Sequence, residues 1–238
     1  MLFRDRRDAG RQLAAKLSRY AGDSGVFVLG LPRGGVPVAY EVASALGAPL
    51  DVFVVRKLGV PGHRELAMGA IASGGMRVFN TDVIDALRIS AAAVESVAER
   101  ELQEIGRQER AFRGDAPFPD LSGRTVIVVD DGLATGSTMR AAVGALRQCN
   151  PARVVIAVPV AAAETVRDFL QSSGLKRAAA DSVVCLNAPP EFHAVSFWYQ
   201  DFSQTSDEEV RNLLAPASSG GASMDIRPVS EGRPERGA

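Results

Sequence analysis

With 238 residues, 46% of them hydrophobic and 23% charged, the chain can bury roughly 70% of its unfolded surface as one domain with appendages. A formal net charge of −1 and a pI of about 6.2 give no extended field for a nucleic acid or a membrane surface, so any anion site must be local. No apolar run reaches the ~18 residues of a membrane span, the start Met1-Leu-Phe-Arg-Asp-Arg-Arg-Asp8 lacks the apolar stretch of a leader, and two cysteines without CxxC spacing read as reduced thiols. The expectation is a cytoplasmic protein with neither nucleic-acid nor membrane partners.

Leu13, Ala14, Leu17 and Tyr20 recur at helical spacing and predict an amphipathic first helix ending at Gly22, a lid on the sheet. Residues 26–31 read as a buried strand, with Pro32-Arg33-Gly34-Gly35 at its carboxyl end and a helix from Pro37. This loop is neither the Gly-x-Gly-x-x-Gly fingerprint nor a P-loop, since no Gly-Lys-Ser/Thr follows. Arg33 beside the bare amides of Gly34 and Gly35 suits a diphosphate, although a Gly-Gly pair can equally be a plain turn. Residues 50–55 form a second β-rich run, ending in Arg56-Lys57.

Residues 58–67 hold a proline, two glycines and no period, so they read as a loop, with about 58–68 as a mobile lid. Residues 69–72 and 76–79 read as strands of a hairpin around Ser73-Gly74-Gly75. From 91 to 112 a helix places Val94, Ala98, Leu102, Ile105 and Phe112 down one side; its charged side reads as a solvated face or as a homodimer contact. Residues 114–123 are a linker. His63 and His193, the only histidines, are too few for a His-rich metal site and read as solvated loop residues.

The densest signal is Val126-Ile-Val-Val-Asp130-Asp131-Gly-Leu133-Ala134-Thr135-Gly136-Ser137-Thr138. Four β-branched residues form a buried strand, two carboxylates sit at its carboxyl end, and small and hydroxyl residues lead into a helix from Met139. In open α/β sheets ligands bind outside the carboxyl ends of strands, and a helix N-terminus favours a phosphate. Thr135, Ser137 and Thr138 add hydroxyls, while Gly136 lets the backbone close on the anion. Asp130 and Asp131 need a cation or neutral hydroxyls as partners, because like charges at close range are costly. A sugar phosphate with a divalent metal satisfies both halves.

Residues 154–160 and 182–186 add parallel strands with a helix at 164–170 between them, and this alternation predicts an α/β doubly wound, mostly parallel sheet flanked by helices. The strand order does not follow from the sequence. Residues 189–202 carry five of the fourteen aromatics: Phe192, Phe197, Trp198, Tyr199 and Phe202. Ser206-Asp-Glu-Glu209 is a capping box opening a helix to Leu214, and residues 215–238 read as a disordered tail.

The strand, acidic pair and Ala134-Thr-Gly-Ser-Thr138 resemble the 5-phosphoribosyl 1-diphosphate (PRPP) signature of the type I phosphoribosyltransferases; a receiver-like strand ending in Asp-Asp is the competing reading. Leu31-Pro-Arg-Gly-Gly35, Glu65-Leu-Ala-Met-Gly-Ala70 and Tyr199-Gln-Asp-Phe-Ser-Gln204 extend the resemblance over about residues 1–214, with Gly132 standing where an aliphatic residue is usual. The resemblance implies that Asp130 and Asp131 hold ribose hydroxyls and Mg²⁺, directly or through water. Residues Leu133 to Thr138 would wrap the 5′-phosphate, and Arg33, Gly34, Gly35 and Arg56 would bind diphosphate, with Lys57, just before the mobile loop, catalytic. It further implies a cis peptide at Arg33-Gly34 and a hood over the acceptor, mainly residues 187–214, where the aromatics either carry a flat acceptor or pack the core. The implied activity is Mg²⁺-dependent transfer of 5-phosphoribosyl from PRPP to a small-molecule acceptor. A non-catalytic PRPP- or nucleotide-sensing regulator on the same fold is the alternative.

Overall fold

The computed structural model describes residues 2–171 and 180–215, so all but the first residue of the expected tail lies outside it. In chain order the elements are α1 (Arg6–Lys16), β1 (Val26–Gly30), α2 (Gly35–Leu46), β2 (Leu50–Val52), β3 (Val55–Val60), β4 (His63–Ala72), β5 (Met76–Phe79), α3 (Thr81–Ala86), α4 (Ala91–Arg113), β6 (Thr125–Val129), α5 (Ser137–Leu146), β7 (Arg153–Val160), α6 (Ala163–Gln171), β8 (Ser182–Asn187) and α7 (Asp207–Leu214).

The main sheet is parallel throughout, in the order β2-β1-β6-β7-β8. Its inner strands are continuous apolar runs because both faces are covered: β1 is buried along its whole length, and so is β7 after Arg153. One face packs on α1 and α2 through Leu13, Leu17, Val38, Val42 and Leu46, and the other on α5 and α6 through Met139, Val143, Leu146 and Phe169. From β1 the chain winds outward to β2, and from β6 it winds the other way to β7 and β8. The direction therefore reverses between β1 and β6, and the crevice at their carboxyl ends is the topological switch point where such sheets bind ligands.

A second sheet, β3-β4-β5, is antiparallel. It overturns the reading of residues 58–67 as a loop, since Leu58, Val60 and Met68 are buried within a paired hairpin and pack with Val94, Ala98 and Ile105 of α4. The residues that look like breakers have local jobs. Pro61 and Gly62 make the turn, Gly62 with φ +82°, and Gly59 lies where the register shifts. The run 50–55 divides at Phe53-Val54, sending β2 to the main sheet and β3 to the second one.

The first helix starts earlier than its apolar spacing suggests, capped by Asp5, whose carboxylate accepts from the Asp8 amide at 2.7 Å. It ends at Lys16, and Tyr20 belongs to a separate 3-10 turn. The short α3, capped by Asn80, has no counterpart in the sequence reading. The hairpin expected around Ser73–Gly75 is present as β4 and β5, and the Ser206 hydroxyl caps α7 as the sequence indicates, accepting from the Glu209 amide.

On α4 the buried side runs through Val94, Val97, Ala98, Ile105 and Phe112, whereas Leu102 is 37% exposed and does not belong to it. Ile105→Ala should therefore destabilise the chain by about 2–5 kcal/mol. Leu102→Ala should change stability by no more than about 0.5 kcal/mol. Urea titrations of the two variants check the assignment, and equal losses would contradict it.

Candidate active site at the switch point

The loop after β1 and the acidic pair after β6 are in direct contact. Gly30 pairs with Val129, and the Leu31 amide donates to the Val129 carbonyl at 2.9 Å, so the two chain segments leave the sheet side by side. A Cβ on Gly34 would lie 2.1 Å from Oδ2 of Asp131, and one on Gly35 would lie 2.7 Å from the Val129 carbonyl oxygen. Only glycines allow this approach. The cis peptide falls at Pro32-Arg33, one bond before the Arg33-Gly34 position expected. Arg33 projects into solvent and its Nε meets Oδ1 of Asp207 at 3.0 Å, at the first turn of α7.

The acidic pair is half-buried and tied to its neighbours. Oδ1 of Asp130 accepts from the Asp131 amide at 2.9 Å, and Oδ2 of Asp131 accepts from Arg6 Nε at 2.8 Å. Burial pushes the Asp130 carboxyl well above the usual carboxylate range, and the Asp131 charge raises it further. Burial also raises Asp131, opposed by its hydrogen bond and attraction to Arg6. Tyr199 donates its hydroxyl to the Asp131 carbonyl at 2.5 Å, and burial raises that phenol strongly.

The small-residue loop is held from behind and open in front. Leu133 is buried, its amide donating to the Val160 carbonyl and its carbonyl accepting from the Ala162 amide. Thr165 fixes the Ala134 carbonyl at 2.6 Å. Gly136 caps α5 at φ +68°, with Thr165 and Phe169 filling the space a side chain would need. Ala134, Thr135, Ser137 and Thr138 face outward, and the Thr135 and Ser137 hydroxyls lie 3.0 Å apart. The exposed hydroxyls and the free amides of the first turn of α5 can receive a phosphate.

Gly132 has a reason of its own, because a Cβ there would stand 2.6 Å from Cγ1 of Val195. The aromatic segment divides by burial. Tyr199 packs on Phe3 and Phe202 with centroids at 5.4 and 5.0 Å, whereas Phe197 is 72% exposed beside His193.

A cavity of about 430 Å³ joins these parts, lined by Arg33, Gly34, Asp131 and Thr138 together with Arg6, Arg56, Arg107 and Asp207. Arg56 lines the cavity and pairs with Glu101 at 2.8 Å. Lys57, the next residue along β3, is exposed and outside the cavity lining. Three of these residues carry no signal in the sequence. Arg6 reads only as one charge of the chain start, Asp207 as part of a capping box, and Arg107 as a solvated helix charge, which the structure pairs with Glu104.

Among the described residues no group of three or more His, Cys, Asp or Glu could hold a metal alone. A hard divalent cation here would need substrate oxygens beside the Asp130 and Asp131 carboxylates, the manner in which Mg²⁺ commonly binds.

The family model described as "Phosphoribosyl transferase domain" matches residues 4–171. The chain belongs to this family. It is 49% identical over 213 residues to Rv0571c of Mycobacterium tuberculosis, named "Putative phosphoribosyl transferase"; the match covers 90% of this chain and 46% of that protein, so the chain spans about half the length of its relative. A "Bifunctional protein PyrR" of Roseiflexus sp. is 35% identical over 125 residues, 51% of this chain and 62% of that one. Among solved structures, TT1426 from Thermus thermophilus is 42% identical with a TM-score of 0.76, covering 90% of this chain and 98% of that one. The fold is thus shared with TT1426 over most of the chain.

A carboxyl whose pKa rises on folding contributes stability below its unfolded value, 3.8 for Asp130, and that contribution is lost as pH climbs through the folded value. Without divalent cations, Asp130→Asn should therefore melt above wild type at neutral pH, by a margin that closes toward 3.8. Thermal melts across that range check the sign; a variant melting below wild type at neutral pH would show that the carboxylate is not the destabilising group.

Proposed function

We propose that the chain transfers the 5-phosphoribosyl group of PRPP to a small-molecule acceptor with release of diphosphate. The observation that carries this reading is the contact of the Arg33-Gly34-Gly35 loop with the half-buried acidic pair at the switch point, an arrangement that would suit a diphosphate beside a sugar diol. In this reading the hydroxyls of Thr135, Ser137 and Thr138 and the adjacent amides hold the 5′-phosphate, with Leu133, Ala134 and Gly136 shaping the loop. Asp130 and Asp131 accept hydrogen bonds from the ribose hydroxyls. Arg33 and Arg56, with the Gly34 and Gly35 backbone, take the diphosphate.

Mg²⁺, held by Asp130 and Asp131 through ribose hydroxyls or water and by diphosphate oxygens, would neutralise charge on the leaving group. The chain's own contribution is then mostly placement and preformed charge. As the bond at C1 breaks, negative charge grows on the diphosphate next to Arg33, and a cation already in place stabilises that charge without reorganisation. Lys57 faces away from the cavity lining, so a leaving-group role for it requires the β3-β4 hairpin to turn it inward. In the same reading the partners are small molecules and the setting is cytoplasmic. Among the described residues no helix is long and apolar enough to cross a membrane. The charged face of α4 is the proposed homodimer contact, which a single-chain mass in sedimentation velocity would refute.

Incubation with PRPP, Mg²⁺ and a panel of amine and heterocyclic acceptors should release diphosphate, and omitting Mg²⁺ should abolish the release. Arg33→Ala should lower turnover on the order of 10- to 100-fold while weakening PRPP affinity less, because its charge matters most as the bond breaks. Tight PRPP binding with no diphosphate from any acceptor, and nucleotides competing for the same site, would favour a sensor over a transferase.

A further inference from the structure

The guanidinium of Arg6 lies against the acidic pair, and it reaches that place from the first turn of α1, 125 residues away in sequence. Its side chain is only 12% exposed. Three contacts hold it: Nε donates to Oδ2 of Asp131 at 2.8 Å, Nη1 donates to the Ser203 carbonyl at 2.6 Å, and its Cζ lies 3.9 Å above the Phe202 ring. The same Asp131 Oδ2 is the atom that a Cβ on Gly34 would strike, and that Cβ would also lie 3.2 Å from Arg6 Nε. Arg6 thus abuts the diphosphate loop while it restrains the carboxylate.

We infer that Arg6 is a positioning residue for the ribose of the donor, acting through Asp131. This rests on the PRPP reading above. By engaging Oδ2, the guanidinium fixes the rotation of the Asp131 carboxylate and leaves Oδ1 to accept from a sugar hydroxyl. A planar fork does this where an ammonium cannot, because Nε and Nη1 must reach two acceptors in one plane while the face stacks on Phe202. The Ser203 carbonyl and the Phe202 ring carry no chemistry. Their role is to hold the fork, so the segment after β8 contributes to the ribose site through α1.

The inference predicts a split between two halves of the same ligand. The 5′-phosphate loop, Ala134 to Thr138, is anchored by Thr165 and by β7, and among the described residues it makes no hydrogen bond to Arg6. Arg6→Gln should therefore weaken Mg²⁺·PRPP and ribose 5-phosphate by about tenfold or more, the scale of a lost charged hydrogen bond, and leave inorganic phosphate within about twofold. Arg6→Lys should recover part of the loss by restoring charge without the fork. Titration calorimetry with the three probes on the full chain, alongside thermal melts, gives the answer.

Parallel weakening of all three probes in Arg6→Gln would mean a general structural role and overturn the inference, as would sugar-phosphate affinity unchanged within about twofold. A wild-type chain that binds phosphate but neither Mg²⁺·PRPP nor ribose 5-phosphate would overturn the donor reading itself, and this inference with it.

Discussion

The structure around the switch point depends on two adjacent carboxylates, Asp130 and Asp131, half-buried at the end of β6. Burial penalises their charge and the Asp131 charge further penalises Asp130, so the surroundings must compensate or the pair would stay protonated. The Asp131 amide folds back onto Asp130, and the Arg6 guanidinium is brought from the far end of the chain to Asp131. The compensation is incomplete, since both groups remain raised. Raised carboxyls beside a cavity mark a candidate functional site.

Close packing against the pair explains residues that would otherwise look arbitrary. Gly34 and Gly35 have no room for a side chain, because the loop after β1 lies directly on the end of β6. Gly132 is a glycine for a different reason: Val195, from the segment after β8, occupies the volume in front of it. An aliphatic residue at 132 and a valine at 195 exclude each other unless one moves by several tenths of an ångström. The departure from the usual family pattern is thus a local exchange of volume between the acidic loop and the segment after β8, and it leaves the acidic pair in place.

Most of the fold is legible in the sequence because its main strands are buried on both faces and read as unbroken apolar runs. The acidic stretch is legible because its residue types follow one another in the order the chemistry needs. What escapes has two physical causes. Residues 58–67 hide a strand pair whose glycines and proline serve a bulge and a turn, so punctuation inside a hairpin reads as the lack of one. Arg6, Asp207 and Arg107 join the cavity only through contacts that no local pattern encodes, the first bridging 125 residues. The desolvation of the acidic pair is equally invisible, since it depends on what covers the strand end rather than on the strand.

The meeting of Arg6 with Ser203 has a consequence for biosynthesis. The two residues are 197 positions apart, and the bridge between Phe3 and Tyr199 spans almost the same stretch. At the usual pace of translation the interval between making one and making the other is on the order of 10–40 s. Until then a nascent chain can assemble β1, β2 and β6 and expose the acidic pair with its countercharge unsecured. The pocket therefore matures late: the ribosome must deliver the segment beyond β8 before Phe202 and Ser203 can hold the Arg6 guanidinium beside the carboxylates.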